Sequence, residues 1–151
     1  MSEDNSPNFE SLNLAAPVQK ALTRLEYKTP TPIQQKAIPD VLDGKDLMGI
    51  AQTGTGKPAA FSLPTLSHIA RNPKTPPKRG ARVLILAPTR ELASQIAVSV
   101  KEYGVCMPEL TTVTVYGGVP ISRQIKRLVR GNDVVVATPG RLIDLIGRKD
   151  I

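Results

Sequence analysis

A glycine-rich segment in the first half of the chain contains the residue types that bind phosphate. It reads Ala51-Gln-Thr-Gly-Thr-Gly-Lys57-Pro58 and matches the phosphate-loop pattern G-x-x-x-x-G-K-[ST] at Gly56 and Lys57. Glycines permit a tight turn, N–H groups at the start of the following helix surround the anion, and the lysine neutralises its charge. The pattern predicts a nucleotide site formed by Gln52, Thr53, Gly54, Thr55, Gly56, Lys57 and Pro58.

Pro58 and Ala51 depart from this pattern. Ala51 replaces the first glycine, and Pro58 replaces the Ser/Thr whose hydroxyl ligates Mg²⁺. Proline also has no N–H, and the loss of one charge-assisted hydrogen bond costs about 1.5–3 kcal/mol, or ~10- to 100-fold in affinity. A proline further disfavours the α region for the residue before it, here Lys57. A helix tolerates proline in its first turn, so we expect the fold to form and nucleotide binding to be weak.

The charge of the chain predicts a polyanionic partner. Its 151 residues include 20 Lys+Arg and 13 Asp+Glu, which gives a net charge of +7 and a pI near 9.8. Two basic segments, 71–90 and 121–131, contain no acidic residue. Each of them alone fits a solvated basic face equally well, but such an excess of positive charge attracts nucleic acid first.

Other classes of protein are excluded by composition. With one cysteine, Cys106, and one histidine, His68, the chain has neither a disulfide framework nor a His/Cys metal cluster. We therefore assign no metal ligand. The polar, acidic start does not resemble a signal or transit peptide, and no apolar run reaches the ~20 residues of a membrane-spanning helix.

The hydrophobic pattern predicts the elements that position these residues. Apolar runs typical of strands occupy 46–52, 82–88, 111–118 and 133–139. Three of them are nearly continuous, which predicts strands of a parallel sheet covered on both faces. Helical periodicity covers 17–26, 31–42, 92–103 and 121–129, and a loop covers 72–80. Strands that alternate with helices predict right-handed crossovers and an open α/β sheet, which binds ligands at the carboxyl ends of its strands.

The loop spelling Ala-Gln-Thr-Gly-Thr-Gly-Lys resembles that of the DEAD-box ATP-dependent RNA helicases, in their bacterial style. Further segments resemble other motifs of this family in the same order: the Q motif (Glu26–Gln34, with Phe9 upstream), motif Ia (Pro88–Leu92), the GG motif (Gly117–Gly118) and motif Ib (Thr138–Arg141). The resemblance spans about residues 9–146. It implies a RecA-like P-loop NTPase fold, an open and mostly parallel sheet flanked by helices, with 1–151 as part of the N-terminal RecA-like domain and the Q motif at 9–34.

The resemblance also assigns binding roles. ATP or ADP with Mg²⁺ is the family's cofactor, and Gln34 would bind the adenine edge with help from Phe9, Tyr27 and Thr29. Without the motif, Tyr27 also fits a half-buried residue beside a helix start, and Phe9 fits a cap on the sheet. RNA would contact Pro88, Thr89, Arg90, Gly117, Gly118, Thr138, Pro139, Gly140 and Arg141. Such contacts read the backbone, so binding would be independent of sequence and sensitive to salt.

The chain departs from the family pattern in two further places. Glu26 replaces the glycine that usually opens the Q motif, which we expect to affect a turn more than adenine contact. No Asp-Glu-Ala-Asp box, Ser-Ala-Thr motif or second RecA-like domain occurs before Ile151. We therefore expect no catalytic residue in this chain and no ATP hydrolysis or RNA unwinding by it alone. We also expect an unpaired strand edge near Ile50, through which a homodimer or domain swap would form.

Three functions compete at this point. The first is the ATP- and RNA-binding portion of a cytoplasmic DEAD-box RNA helicase with an impaired phosphate loop. The second is a non-enzymatic RNA-binding or self-associating module. The third, a Rossmann dehydrogenase, fits the alternating pattern but lacks G-x-G-x-x-G, and Lys57 would crowd a pyrophosphate.

Overall fold

The structure, a computed structural model, describes residues 6–151 and groups them into two compact units. The first unit contains residues up to 73 together with 102–108. The second contains 74–101 and 109–151. The predicted nucleotide residues all fall in the first unit, and the predicted RNA residues all fall in the second.

Helices form the first unit. A short 3₁₀ turn covers Phe9–Leu12, and the α-helices are α1 (Ala16–Arg24), α2 (Pro32–Leu42) and α3 (Lys57–Arg71). Their interior is aliphatic, with Val18, Leu22, Ile38, Leu63 and Leu66 at most 1% exposed. The predictions of helices at 17–26 and 31–42 are confirmed to within two residues.

The apolar segment 46–52 is not a strand. Its backbone has no regular secondary structure, and the side chains of Met48 and Ile50 are 87% and 88% exposed. The described part of the chain contains no strand that pairs with it, and an extended backbone is stable in a sheet only when its N–H and C=O groups find partners. The predicted strand and its edge near Ile50 are therefore wrong, and the predicted homodimer loses the edge on which it depended.

The second unit contains a parallel sheet. Its strands are β1 (Ala81–Leu86), β2 (Thr112–Val115) and β3 (Asn132–Ala137), arranged in the order β1-β3-β2 with both pairs parallel. The helices that follow the strands are α4 (Arg90–Tyr103), α5 (Ile121–Leu128) and α6 (Pro139–Gly147). Three of the four predicted strands are thus confirmed as the parallel sheet of an α/β fold.

The central strand is buried and the edge strand β1 is not. All six residues of β3 are buried, and one face of the sheet packs against Leu128 of α5 and Leu142 and Leu145 of α6. On β1, by contrast, Leu84 and Leu86 are 48% and 56% exposed. The predicted cover on both faces therefore holds for β3 but is wrong for β1.

A polar cluster joins the three strands at their amino ends. Arg82 Nη1 lies 3.3 Å from Asp133 Oδ1, and both side chains are mostly buried. The other carboxylate oxygen of Asp133 accepts from the backbone N–H and the hydroxyl of Thr111, at 2.9 and 3.0 Å. A mostly buried ion pair is stable only when its remaining hydrogen bonds are satisfied, and Thr111 satisfies those of Asp133. The cluster thus links the amino ends of the three strands, at the end of the sheet opposite to the predicted RNA residues.

Candidate functional site

The phosphate loop closes on itself through its lysine. Gly54 and Gly56 have φ values of +83° and +85°, a region that favours glycine. Lys57 Nζ donates to the carbonyl oxygen of Ala51 at 2.7 Å, so the side chain spans the loop from its last residue to its first. The lysine ammonium is thereby held at the loop by a neutral acceptor, which a phosphate oxygen can replace.

Helix α3 begins at Lys57, so Pro58 is its second residue. The expectation that Pro58 would hold Lys57 out of helical backbone is therefore wrong. The first N–H groups of a helix have no acceptor within it, and proline at this position costs the helix no hydrogen bond. The same proline removes one donor from the group of N–H atoms that would surround an anion at the start of α3.

Gln34 joins the start of α2 to the phosphate loop. Its side chain is 6% exposed, its Oε1 accepts from the Thr31 N–H at 2.9 Å, and its Nε2 donates to the Gly56 carbonyl at 3.1 Å. A Cβ on Gly56 would clash with this carboxamide, which is a second reason for glycine there. A carboxamide has two N–H donors and two acceptor lone pairs, so one of each remains for a base.

The aromatic residues near this site differ in exposure. Tyr27 is 45% exposed and packs against Tyr103, with ring centroids 6.1 Å apart, whereas Phe9 is 5% exposed. Thr29 is exposed. Tyr27 thus has a free ring surface and a half-buried setting after α1, and Phe9 sits in the interior. The contacts predicted between these three residues and an adenine base stay predictions.

Glu26 occupies a position that favours glycine. Its φ is +59°, its N–H bonds the Thr23 carbonyl, and the Tyr27 N–H bonds the Leu22 carbonyl, both within 3.1 Å. This is the Schellman arrangement that ends a helix, in which the left-handed residue is usually glycine. Glu26 therefore lies in a turn that favours glycine, whereas its expected smaller effect on adenine contact stays a prediction.

The described residues do not supply a Mg²⁺ site. Pro58 has no hydroxyl, and the Thr55 hydroxyl donates to the Gln52 carbonyl at 2.6 Å. Within residues 6–151, no group of three or more His, Cys, Asp or Glu side chains could hold a metal ion. The loop geometry fits the phosphates of a nucleotide, whereas the side chains around it do not fit the cation.

The predicted RNA residues meet at one edge of the sheet. Residues 88–90 follow β1, residues 138–141 follow β3, and residues 117–118 follow β2, all at the carboxyl ends of adjacent parallel strands. Thr89 Oγ1 accepts from the Leu92 N–H at 3.2 Å and so caps α4, and Thr138 is the residue before α6. Two helix starts therefore point their free N–H groups toward this edge, where anions are favoured.

Arg90 reaches from the end of β1 to the loop after β2. Its Cζ lies 5.1 Å from the centroid of the Tyr116 ring. Gly118 has φ +81°, and a Cβ there would clash with the Arg90 guanidinium. The structure thus brings Arg90 and Gly118 into contact across the end of β3.

Arg141 is held by the same loop. Its Nη1 donates to the Val119 carbonyl and to Gln124 Oε1, each at 3.1 Å, and Gln124 Nε2 donates to the Tyr116 carbonyl at 2.8 Å. Gln124 is 5% exposed. Arg141 therefore braces the loop with part of its guanidinium, and the predicted RNA contact would use the rest.

Gln124 was not singled out from the sequence. The signal was present, because Gln124 lies between Ile121, Ile125 and Leu128 on the apolar side of α5. A polar residue on the buried side of a helix must find hydrogen-bond partners. Its partners are the Tyr116 carbonyl, in the loop before α5, and Arg141, in α6, and only the folded chain brings the second of them to it.

Comparison with known proteins identifies the family. Residues 31–151 match the DEAD/DEAH box helicases. The chain belongs to this family. It is 47% identical over 140 residues to the ATP-dependent RNA helicase DeaD of Klebsiella pneumoniae, which covers 93% of this chain and 21% of that protein. It is 48% identical over 139 residues to the ATP-dependent RNA helicase ddx46 of Dictyostelium discoideum, with coverage of 92% and 12%. The chain thus spans about a fifth or less of the length of these curated relatives.

Solved structures of helicases share the fold of this DEAD-box chain. The RNA helicase Prp28 from Chaetomium thermophilum bound to ADP superposes with a TM-score of 0.84 at 41% identity, covering 94% of this chain and 34% of that one. A hypothetical ATP-dependent RNA helicase from Sulfolobus tokodaii gives 0.76 at 38% identity, covering 89% and 37%. These neighbours are RecA-like helicase domains, so the predicted fold class and the resemblance to DEAD-box helicases are confirmed. None of the helices described for residues 6–151 is both long and apolar enough to cross a membrane.

Proposed function

We propose that this chain is the ATP- and RNA-binding portion of a DEAD-box RNA helicase, and that 1–151 form part of its N-terminal RecA-like domain. The observation that carries the proposal is the hydrogen bond from Gln34 to Gly56. It places the carboxamide of the Q motif beside the phosphate loop, as a site for a whole adenine nucleotide requires. The ADP in the Prp28 structure belongs to that protein, and it supports the same ligand class here.

The nucleotide would be held by two groups in the first unit. The phosphates would take the free N–H groups at the start of α3 and the Lys57 ammonium, which would exchange the Ala51 carbonyl for a phosphate oxygen. The adenine would take the remaining donor and acceptor of Gln34 and the free ring surface of Tyr27. The terminal phosphate of ATP, when bound, supplies the chemistry of hydrolysis in the longer relatives.

Pro58 would weaken this site. It removes one N–H donor at the start of α3 and the hydroxyl at the usual cation position, and residues 6–151 contain no group of three or more His, Cys, Asp or Glu side chains that could hold the cation instead. We expect nucleotide affinity to be lower by ~10- to 100-fold than with threonine there. We further propose that this chain alone neither hydrolyses ATP nor unwinds RNA.

The second unit would bind RNA at the carboxyl edge of its sheet. N–H groups and positive charge lie at this edge on exposed Thr89 and Arg90, on the loop at Gly118 and at the starts of α4 and α6. They form no pattern of side chains that would read bases. Such a surface contacts phosphates and sugars, so binding would be independent of sequence and weaken steeply with salt. The predicted cytoplasmic location is part of this proposal.

A titration with fluorescent ADP tests the nucleotide site. The Pro58→Thr variant is expected to bind ~10- to 100-fold more tightly than the natural chain, while Pro73→Thr, a matched change in an exposed loop, leaves affinity unchanged. Adding Lys57→Ala to Pro58→Thr should abolish the gain. Equal binding by the natural chain and Pro58→Thr would overturn the role of Pro58, and no binding by any variant would overturn the nucleotide site.

The exposed RNA loops and Pro58 also favour a second function, a non-enzymatic RNA-binding module. RNA binding by filter retention at physiological salt separates the two. If Pro58→Thr fails to bind ADP while the natural chain binds RNA and Arg90→Ala weakens that binding, the module is the better description. Retention no better than that of an equally basic control protein would contradict both RNA proposals.

A further inference from the structure

Helix α5 and the turn that follows it carry four cations on the solvent side. Arg123, Lys126, Arg127 and Arg130 follow the spacing i, i+3, i+4 and i+7, with the first three on one side of α5 and Arg130 in the turn after it. All four are exposed, whereas Leu128 and Gln124 on the opposite side are buried. These four residues are called the α5 stripe below.

The α5 stripe has no internal partner. In the part of the chain that the structure describes, none of its side chains forms an ion pair or a hydrogen bond. Like charges at this spacing repel each other, and the first turn of α5 contains no acidic residue to offset them. Arg123 also lies in that first turn, where the helix dipole disfavours a cation. The stripe is therefore an electrostatic cost to the folded chain that a bound polyanion would relieve.

The α5 stripe is continuous with the candidate RNA site. Helix α5 begins at Ile121, directly after the loop that contains Gly118, and its Gln124 bonds the Tyr116 carbonyl of that loop. Arg123 lies at this end of the helix, and Arg130 lies about 10 Å farther along the axis. A chain of phosphates at the Gly118 loop could thus continue along the stripe.

We propose that the α5 stripe binds the sugar-phosphate backbone of RNA, beyond the nucleotides that the segments 88–90, 117–118 and 138–141 contact. The proposal rests on the RNA-binding function proposed above and adds a second contact region to it. Charge complementarity and continuity with the loops favour the same RNA as the occupant, rather than a separate acidic protein.

The length of the RNA provides the test. The full chain is titrated with a short single-stranded RNA, near the lower end of the ~4–16 nucleotides that one single-strand-binding domain covers, and with one about twice the upper end. The stripe variant Arg123→Gln, Lys126→Gln, Arg127→Gln, Arg130→Gln should bind the short RNA like the natural chain. With the long RNA, the slope of the logarithm of its binding constant against the logarithm of salt concentration should decrease in magnitude by about 3. This corresponds to four phosphate contacts at ~0.7 each.

A matched variant controls for net charge. Lys20→Gln, Arg24→Gln, Lys28→Gln, Lys36→Gln removes four exposed cations of the first unit that are likewise unpaired among the described residues. It should retain the natural slope, and the half-variant Arg123→Gln, Arg130→Gln should lose about half as much as the full stripe variant. Melting curves by circular dichroism establish that each variant is folded.

Three outcomes would overturn the proposal. These are an unchanged slope in the stripe variant, an equal loss in the matched variant, or a stripe variant that keeps long RNA but loses binding to polyglutamate, which would indicate an acidic protein. The Arg90→Ala variant distinguishes a failure of the stripe proposal from a failure of the proposed RNA-binding function. If it leaves both RNAs unaffected, the loop site itself is wrong, whereas a loss at the loops without a stripe effect refutes the stripe alone.

Discussion

The Arg90 guanidinium lies over the Tyr116 ring, with its Cζ 5.1 Å from the ring centroid. The two residues come from the ends of β1 and β2, which β3 separates in the sheet. A cation held over an aromatic face keeps its N–H edges free, and it loses less conformational entropy when a phosphate binds. Tyr116 would therefore position Arg90 for the proposed RNA, which Tyr116 itself need not contact.

Replacing Tyr116 by leucine should weaken RNA binding by about 2- to 5-fold, because a cation–π contact at an exposed site contributes about 0.5–1 kcal/mol. Phenylalanine keeps the ring face and should keep the affinity. Fluorescence anisotropy with a labelled single-stranded RNA measures both variants. Equal losses in the phenylalanine and leucine variants would show that the ring does not position Arg90.

Replacing Gly118 by alanine should lower both stability and RNA affinity. The residue has φ +81°, where a side chain costs about 1–2 kcal/mol, and the new Cβ would displace the Arg90 guanidinium. Urea unfolding and the same anisotropy assay report the two effects. Gly147→Ala in α6 is the control: a Cβ there meets nothing within 4 Å, so it should leave RNA affinity unchanged and raise stability by up to about 1 kcal/mol.

Replacing Gln34 by alanine should remove the link between α2 and the phosphate loop. The Thr31 N–H and the Gly56 carbonyl would each lose a buried partner, which costs about 1–3 kcal/mol of unfolding free energy. In the Pro58→Thr background, preference for ADP over GDP should also disappear. A variant that loses stability but still discriminates between the two bases would confine Gln34 to a structural role.

Replacing Glu26 by glycine should stabilise the chain by about 1 kcal/mol, because glycine adopts the left-handed backbone after α1 without strain. Thermal unfolding measures the change. Glu91→Gly, in the first turn of α4, should instead destabilise by up to about 1 kcal/mol. A lower melting temperature for Glu26→Gly would show that the Glu26 side chain stabilises the turn in another way.

Local pattern predicted most of the fold but not its pairing. The run Val134–Val136 became the buried centre of a sheet, whereas segment 46–52, which also contains an apolar run, did not become a strand. Apolarity is a property of the segment itself, but a strand also requires a neighbour that comes from elsewhere in the chain. The rule that a residue before proline avoids helical backbone failed at Lys57 for a similar reason. Lys57 is the first residue of α3, and the helix as a whole outweighs this local preference.

The candidate site shows the same division. The phosphate-loop pattern predicted Lys57 and Gly56, and the family resemblance predicted Arg90 and Gly118. In the structure, the members of each pair lie next to each other. The contact between Arg90 and Tyr116 could not be predicted, because it joins two strand ends that are distant in sequence. Spacing predicts which side chains are available, and the order of the strands decides which of them touch.

Because Lys57 donates a hydrogen bond to the Ala51 carbonyl, the phosphate loop itself competes with phosphate for the lysine ammonium. An incoming phosphate gains the ammonium only after this internal acceptor has released it. The proposed nucleotide binding would therefore be an exchange reaction, and its equilibrium constant would report the difference between two bonds to the same group. A measured nucleotide affinity would accordingly understate the strength of the contact between Lys57 and phosphate.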